Sequence, residues 1–100
     1  MSHTKPKYGF CPCCSRQVAL TFHHFIPKKM HRRQYFRKHF SRDKLNNGMS
    51  VCRACHDGIH SHYDEMTLAK HYYNAQRLLV DDTLRQHYHW ISKQKVRHRF

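Results

Sequence analysis

Apolar residues change their spacing along this chain, and each spacing predicts an element. Val18 to Phe25 (Val-Ala-Leu-Thr-Phe-His-His-Phe) is rich in strand formers and stops at Ile26-Pro27, where proline offers no donor to a ladder. It reads as the first strand of a hairpin. Met49-Ser50-Val51 reads as the return strand, with Asn47-Gly48 as a turn signal just before it. Between the two, Arg32 to Phe40 predicts a basic helix or helical loop with Tyr35, Phe36, His39 and Phe40 on one side. Ser41 can cap a further short turn through Asn46. The hairpin therefore carries a long insertion between its arms.

Helical spacing dominates after Cys52. A helix beginning near Arg53 or Ala54 carries Cys55, His56, Ile59 and His60, and His56 and His60, four apart, project from one face. A second helix is expected from about Asp64 to Val80, with Leu68, Tyr72, Ala75 and Leu79 as its inward stripe. Asp81-Asp82 can break and recap the chain before a third helix through about Lys93, which buries Leu84, Tyr88 and Ile91. There are no internal repeats and no linker long enough to separate two units. The expectation is one α+β domain over residues 1–100, with a core motif at 11–60, a helical extension at 64–93 and a basic tail at 93–100.

Composition complicates that picture. Leu, Ile, Val and Phe make up only 19 of 100 residues and the formal net charge is +13, a balance that by itself points to disorder. The chain nevertheless holds 13% aromatics and two Cys-x-x-Cys pairs, Cys11/Cys14 and Cys52/Cys55. Four thiolates at this spacing make a closed structural zinc site, which completes a thin core. Zinc binding is then folding free energy, on the order of 10 kcal/mol. Without metal at least the first half is expected to unfold. A disulfide framework is the competing reading, but it leaves an odd cysteine and needs strained two-residue loops. Cys13 is left over in the metal reading too; it could swap into the site but is badly spaced from Cys14.

The basic residues cluster. Lys28, Lys29, Arg32, Arg33, Arg37, Lys38, Arg42 and Lys44 fall in one stretch, with Tyr35, Phe36 and Phe40 interleaved, and Lys93, Lys95, Arg97 and Arg99 form a second group. A solvated surface is the bland reading. At this net charge a polyanion partner is the better one, and DNA, or else RNA, is the expected partner, with Lys28, Lys29, Arg32, Arg33, Arg37 and Lys38 as its contacts. A membrane surface fits less well, because the basic stretch lacks a wide apolar face. Met1 to Lys7 has no apolar core of signal-peptide length, and no apolar run could span a bilayer. With zinc-binding thiols this leads to a reducing, cytoplasmic setting, for a monomer or weak homodimer.

The series Cys11-x2-Cys14, His23-His24-x2-Pro27, Asn47, Cys52-x2-Cys55-His56-x3-His60 resembles the HNH endonuclease motif in its zinc-stapled variety. The resemblance spans Cys11 to His60 and implies a ββα-metal finger, a hairpin crossed by a helix around one divalent ion. It implies that His24 is the general base that deprotonates water, and that His23, His56 and His60 ligate the catalytic ion. It implies also that Asn47 holds the hairpin loop and orients His24. Many members of that family carry Asp where this chain has His23, a departure that bears on which metal works: nickel, cobalt, manganese or magnesium.

The chemistry is consistent with those roles on its own terms. Phosphodiester hydrolysis needs a base that titrates near neutral pH, and imidazole does so at about 6.5. It also needs a cation with open positions to offset charge on the phosphate and the leaving oxygen. His23 and His24 alternate across a regular strand, so the turn into Pro27 must bring both toward one phosphate. A non-catalytic zinc-finger module that binds DNA or RNA through the same basic surface is the alternative. A ribosome-associated zinc protein is a third. A binding module has no use for an unliganded imidazole at His24, and the ribosomal reading, which the basic tail permits, does not require the histidines.

Overall fold

The computed structural model describes residues 7–95; Arg97 and Arg99 of the basic tail and residues 1–6 lie outside the described part. Strand β1 (Lys7–Phe10), β2 (Gln17–His24) and β3 (Gly48–Cys52) form an antiparallel sheet in the order β1-β2-β3. Helices α1 (Gln34–His39) and α2 (Arg42–Leu45) occupy the insertion between β2 and β3, after a 3₁₀ turn at Lys28–Met30. Helices α3 (Arg53–His62), α4 (Glu65–His71), α5 (Ala75–Val80) and α6 (Asp82–Ser92) complete the α+β fold. No described helix is long and apolar enough to cross a membrane.

The expected hairpin is present, with His23 paired to Met49 and His24 to Gly48. Asn47-Gly48 does not form the left-handed turn that its composition signals, since no described glycine has a positive φ. Gly48 is required for another reason. A Cβ there would stand 2.1 Å from the His23 carbonyl oxygen and 2.7 Å from the Phe22 ring.

The long second helix is the main correction. It is broken into α4 and α5 at Tyr72-Tyr73-Asn74, where the Asn74 side chain accepts from Arg77 N at 2.9 Å and starts a new helix. The inward residues change with it. Leu68, Ala69 and Leu78 are buried, whereas Tyr72, Ala75 and Leu79 are only half-buried. The basic helix of the insertion is shorter than expected, and of its aromatic side only Phe36 is buried while Tyr35 is exposed. Strand β1, which pairs Lys7 to Leu20 through Phe10 to Gln17, was not expected at all.

One apolar cluster joins the two halves of the chain. Cys11, Cys14, Val18, Val51, Cys52, Cys55 and Ile59 pack with Leu68, Leu78, Leu84, Tyr88 and Ile91, so the late helices close the core under the hairpin and α3. Asp81 ties those helices together. Its carboxylate accepts from Tyr63 Oη at 2.8 Å, Tyr72 Oη at 2.7 Å and the Leu84 amide at 3.1 Å, the last as the cap of α6. A second cluster of Ile26, Met30, Phe36 and Ala69 sets the insertion against α4.

Candidate active site and metal centres

Two groups of metal-ligating side chains are present among the described residues. In the first, the sulfurs of Cys11, Cys14, Cys52 and Cys55 all lie within 4.8 Å of one another and all four residues are buried. Zinc bonded to sulfur at about 2.3 Å gives tetrahedral sulfur–sulfur edges of about 3.8 Å. Cys14 Sγ and Cys52 Sγ stand 3.7 Å apart, so the spacing fits. Each pair sits on a built turn. Ser15, at φ 68, returns the first pair in the left-handed region, with its amide bonded to the Cys11 carbonyl at 2.8 Å. Cys52 caps α3, where its sulfur accepts from the Cys55 amide at 3.3 Å.

Arg16 reinforces this knuckle by donating to Cys14 Sγ at 3.4 Å and Cys52 Sγ at 3.6 Å. Cys13 is closer to the cluster than its spacing suggested. It is half-buried and packs against the core that the four ligating cysteines share, without joining their group of sulfurs.

The second group is His23, His56 and His60, each with one ring nitrogen within 4.8 Å of the others. Strand β2 delivers His23 and one face of α3 delivers the other two, as the four-residue spacing requires. The His23 ring is 5.2 Å from that of His56 and 5.3 Å from that of His60. His23 is fully buried and neither of its ring nitrogens has a hydrogen-bond partner. A buried imidazole with two orphaned nitrogens is costly unless a lone pair is used, and a cation would use it. Burial first, then His56 and His60, lower the His23 pKa to about 3, and burial also lowers that of His56, so both are neutral donors at neutral pH. The residues fit a divalent ion. His60 is exposed, so the group opens to solvent on that side, unlike the four cysteines.

His24 leaves β2 on the other face, its ring 4.9 Å from Phe22 and 5.7 Å from His31. His24, His56 and His60 nevertheless line one cleft, of about 220 Å³, with Lys28 and Lys29 of the 3₁₀ turn at its edge. The strand ends at His24, and the chain turns through Pro27 so that the two faces meet there. Burial, then His31 and Lys28, lower the His24 pKa, which keeps the imidazole unprotonated at neutral pH. Asn47 is exposed, and its main-chain carbonyl accepts from the Phe25 amide at 3.1 Å, next to His24.

Sequence reasoning missed Glu65. It lines the same cleft from the first turn of α4, and its carboxylate is 3.7 Å from Lys29 Nζ. Nothing in the local sequence marks it, because its place depends on α4 folding back over the 3₁₀ turn. Of the other basic residues, Arg32, Arg37 and Lys38 line a separate cleft on α1 with Gln34, and Arg33 caps that helix through its main chain.

The family model for HNH endonucleases matches residues 11–62, and the chain belongs to that family. The hairpin crossed by α3, with four cysteines stapling its base, is that family's zinc-stapled fold. No curated protein and no solved structure matches the chain. Family membership implies a nuclease-type function, a metal site and a nucleic-acid substrate.

Proposed function

We propose that this protein is a metal-dependent endonuclease that hydrolyses DNA phosphodiester bonds. The observation that carries the reading is the shared cleft. It sets a free, depressed-pKa imidazole, His24, beside an open group of three histidines.

In this reading His23, His56 and His60 hold a divalent ion, which when bound supplies positive charge for the attacked phosphate and the leaving oxygen. His24 accepts a proton from water, the hydroxide oxygen bonds to phosphorus as the bond to the 3′ oxygen breaks, and the leaving 3′ oxygen takes a proton from solvent water in the open cleft. The products are a 5′-phosphate and a 3′-hydroxyl. Lys28 and Lys29 hold the phosphate at the cleft, and Asn47 fixes the hairpin loop behind His24. Arg32, Arg33, Arg37 and Lys38 carry the flanking backbone. Zinc fills the four-cysteine knuckle. One centre per chain cuts one strand, so a monomer nicks.

Incubation with supercoiled plasmid under a panel of divalent metals, with and without chelator, tests this. Conversion to open circle that needs added metal and stops with chelator is expected. Plasmid left intact by every metal but retarded in a gel would instead make the protein a binding module.

A further inference from the structure

His56 is the one member of the histidine group with a hydrogen-bond partner among the described residues. Its Nδ1 lies 2.9 Å from Thr21 Oγ1, and Thr21 Oγ1 donates to the Val51 carbonyl oxygen at 3.0 Å. A threonine hydroxyl has one proton and two acceptor lone pairs, while a carbonyl oxygen only accepts. The proton is therefore committed to Val51. Toward His56 the hydroxyl can only accept, so His56 Nδ1 must carry hydrogen. A neutral imidazole protonated on Nδ1 has its lone pair on Nε2.

We propose that Thr21 is a positioning residue for the metal centre, its hydroxyl holding His56 in the tautomer whose Nε2 is free to bind a divalent cation. The inference rests on the reading that His23, His56 and His60 hold such an ion. The backbone makes the device rigid. Thr21 pairs with Val51 across β2 and β3, so donor and acceptor are fixed by strand register. Threonine is branched at Cβ and has few rotamers, so the hydroxyl is aimed. Thr21 and His56 are both half-buried, which limits competition from water. Ring orientation is set along with the tautomer. A metal-bound imidazole generally donates its other N–H to an oxygen acceptor, and removing such an acceptor weakens metal binding by about 10- to 100-fold.

Two measurements on the full chain with its cysteine knuckle filled test the assignment. Long-range 1H–15N correlation of the histidine rings, before any second metal is added, should show His56 protonated on Nδ1. Nickel titrated calorimetrically should bind Thr21→Val about 10- to 100-fold more weakly than wild type. Thr21→Ser, which keeps the hydroxyl, should recover most of that loss, and the thermal midpoint without nickel should move little in either variant. A His56 proton on Nε2 in the wild type overturns the proposal, as does wild-type nickel affinity in Thr21→Val. If Thr21→Val does not fold, the wild-type tautomer decides alone. Tight nickel binding that Thr21→Val weakens, with no plasmid cut by the wild type, would uphold Thr21 and remove the nuclease reading instead.

Discussion

The imidazoles of His24 and His31 stand 5.7 Å apart, and His31 is held in place by its Nε2, which donates to the Ile26 carbonyl at 2.6 Å. Burial first, then repulsion from the neighbouring His31 and from Lys28, opposes protonation of His24. Cleavage should therefore rise with pH through a midpoint below the ordinary histidine value of about 6.5 and level off by neutrality. His31→Gln takes away the imidazole that disfavours protonation of His24 and moves that midpoint up. His24→Ala should lose about 10²-fold or more, with metal content and DNA affinity near wild type. A single-turnover pH profile checks all three, and a nearly fully active His24→Ala variant would sink the assignment of the base.

His23 makes the metal-free centre acid-sensitive. Its folded pKa is about 3, against about 6.5 for an unfolded histidine, so between those values the unfolded chain binds one proton more. Stability rises with pH across that window and is lost as pH falls through it, by at most about 1.4 kcal/mol per pH unit from this group. Urea unfolding of wild type and His23→Asn between pH 4 and 7 checks it, the variant showing the shallower dependence.

The knuckle and the histidine group should separate genetically. Cys11→Ser or Cys55→Ser removes a ligand from a closed site and should cost soluble, folded protein. Cys13→Ser should keep its metal by elemental analysis. Zinc lost with Cys13 but retained without Cys11 would mean that the ligand set is wrong.

Phosphate contacts predict a salt dependence. Each of Lys28, Lys29, Arg32, Arg33, Arg37 and Lys38 that touches DNA should contribute about 0.9 to the slope of log K against log salt. Reversing two of them should flatten the slope and weaken all sequences alike. An unchanged slope in fluorescence anisotropy would place the DNA elsewhere.

Three neutral imidazoles leave a bound ion its full double charge and suit nickel, cobalt or zinc better than magnesium, which prefers oxygen. Cleavage should need less nickel, cobalt or manganese than magnesium. His23→Asp adds an anionic oxygen and should lower the magnesium requirement. Metal titrations of plasmid nicking in both proteins decide this, and no shift would exclude His23 as a ligand.

The two groups of cysteines and histidines were legible in the sequence because their spacing is their geometry. Cys-x-x-Cys fixes a knuckle, and His56 and His60 share a helix face whatever surrounds them. The hairpin followed from Val18 to His24 and its proline stop. Strand β1 was not legible, since Lys7, Tyr8 and Phe10 are all exposed and leave no burial pattern to read. The break before α5 was hidden because Leu68, Tyr72, Ala75 and Leu79 keep helical phase across it, and the cap at Asn74 shows only in the structure. Glu65 and Thr21 act through partners far away in sequence, and no local pattern reports such a partner.

The contacts of Arg16 carry one more consequence. The same guanidinium that serves Cys14 and Cys52 also donates from its other nitrogen to the carbonyl of Gln94, at the end of α6, 3.3 Å away. Four thiolates around a zinc ion would leave two negative charges, and this one cation would offset half of that while it ties the last helix to the knuckle. Loss of Arg16 should therefore free the end of α6 and strip the sulfur cluster of its hydrogen-bonded cation in one step. One side chain thus ties the end of α6 to the four-cysteine knuckle.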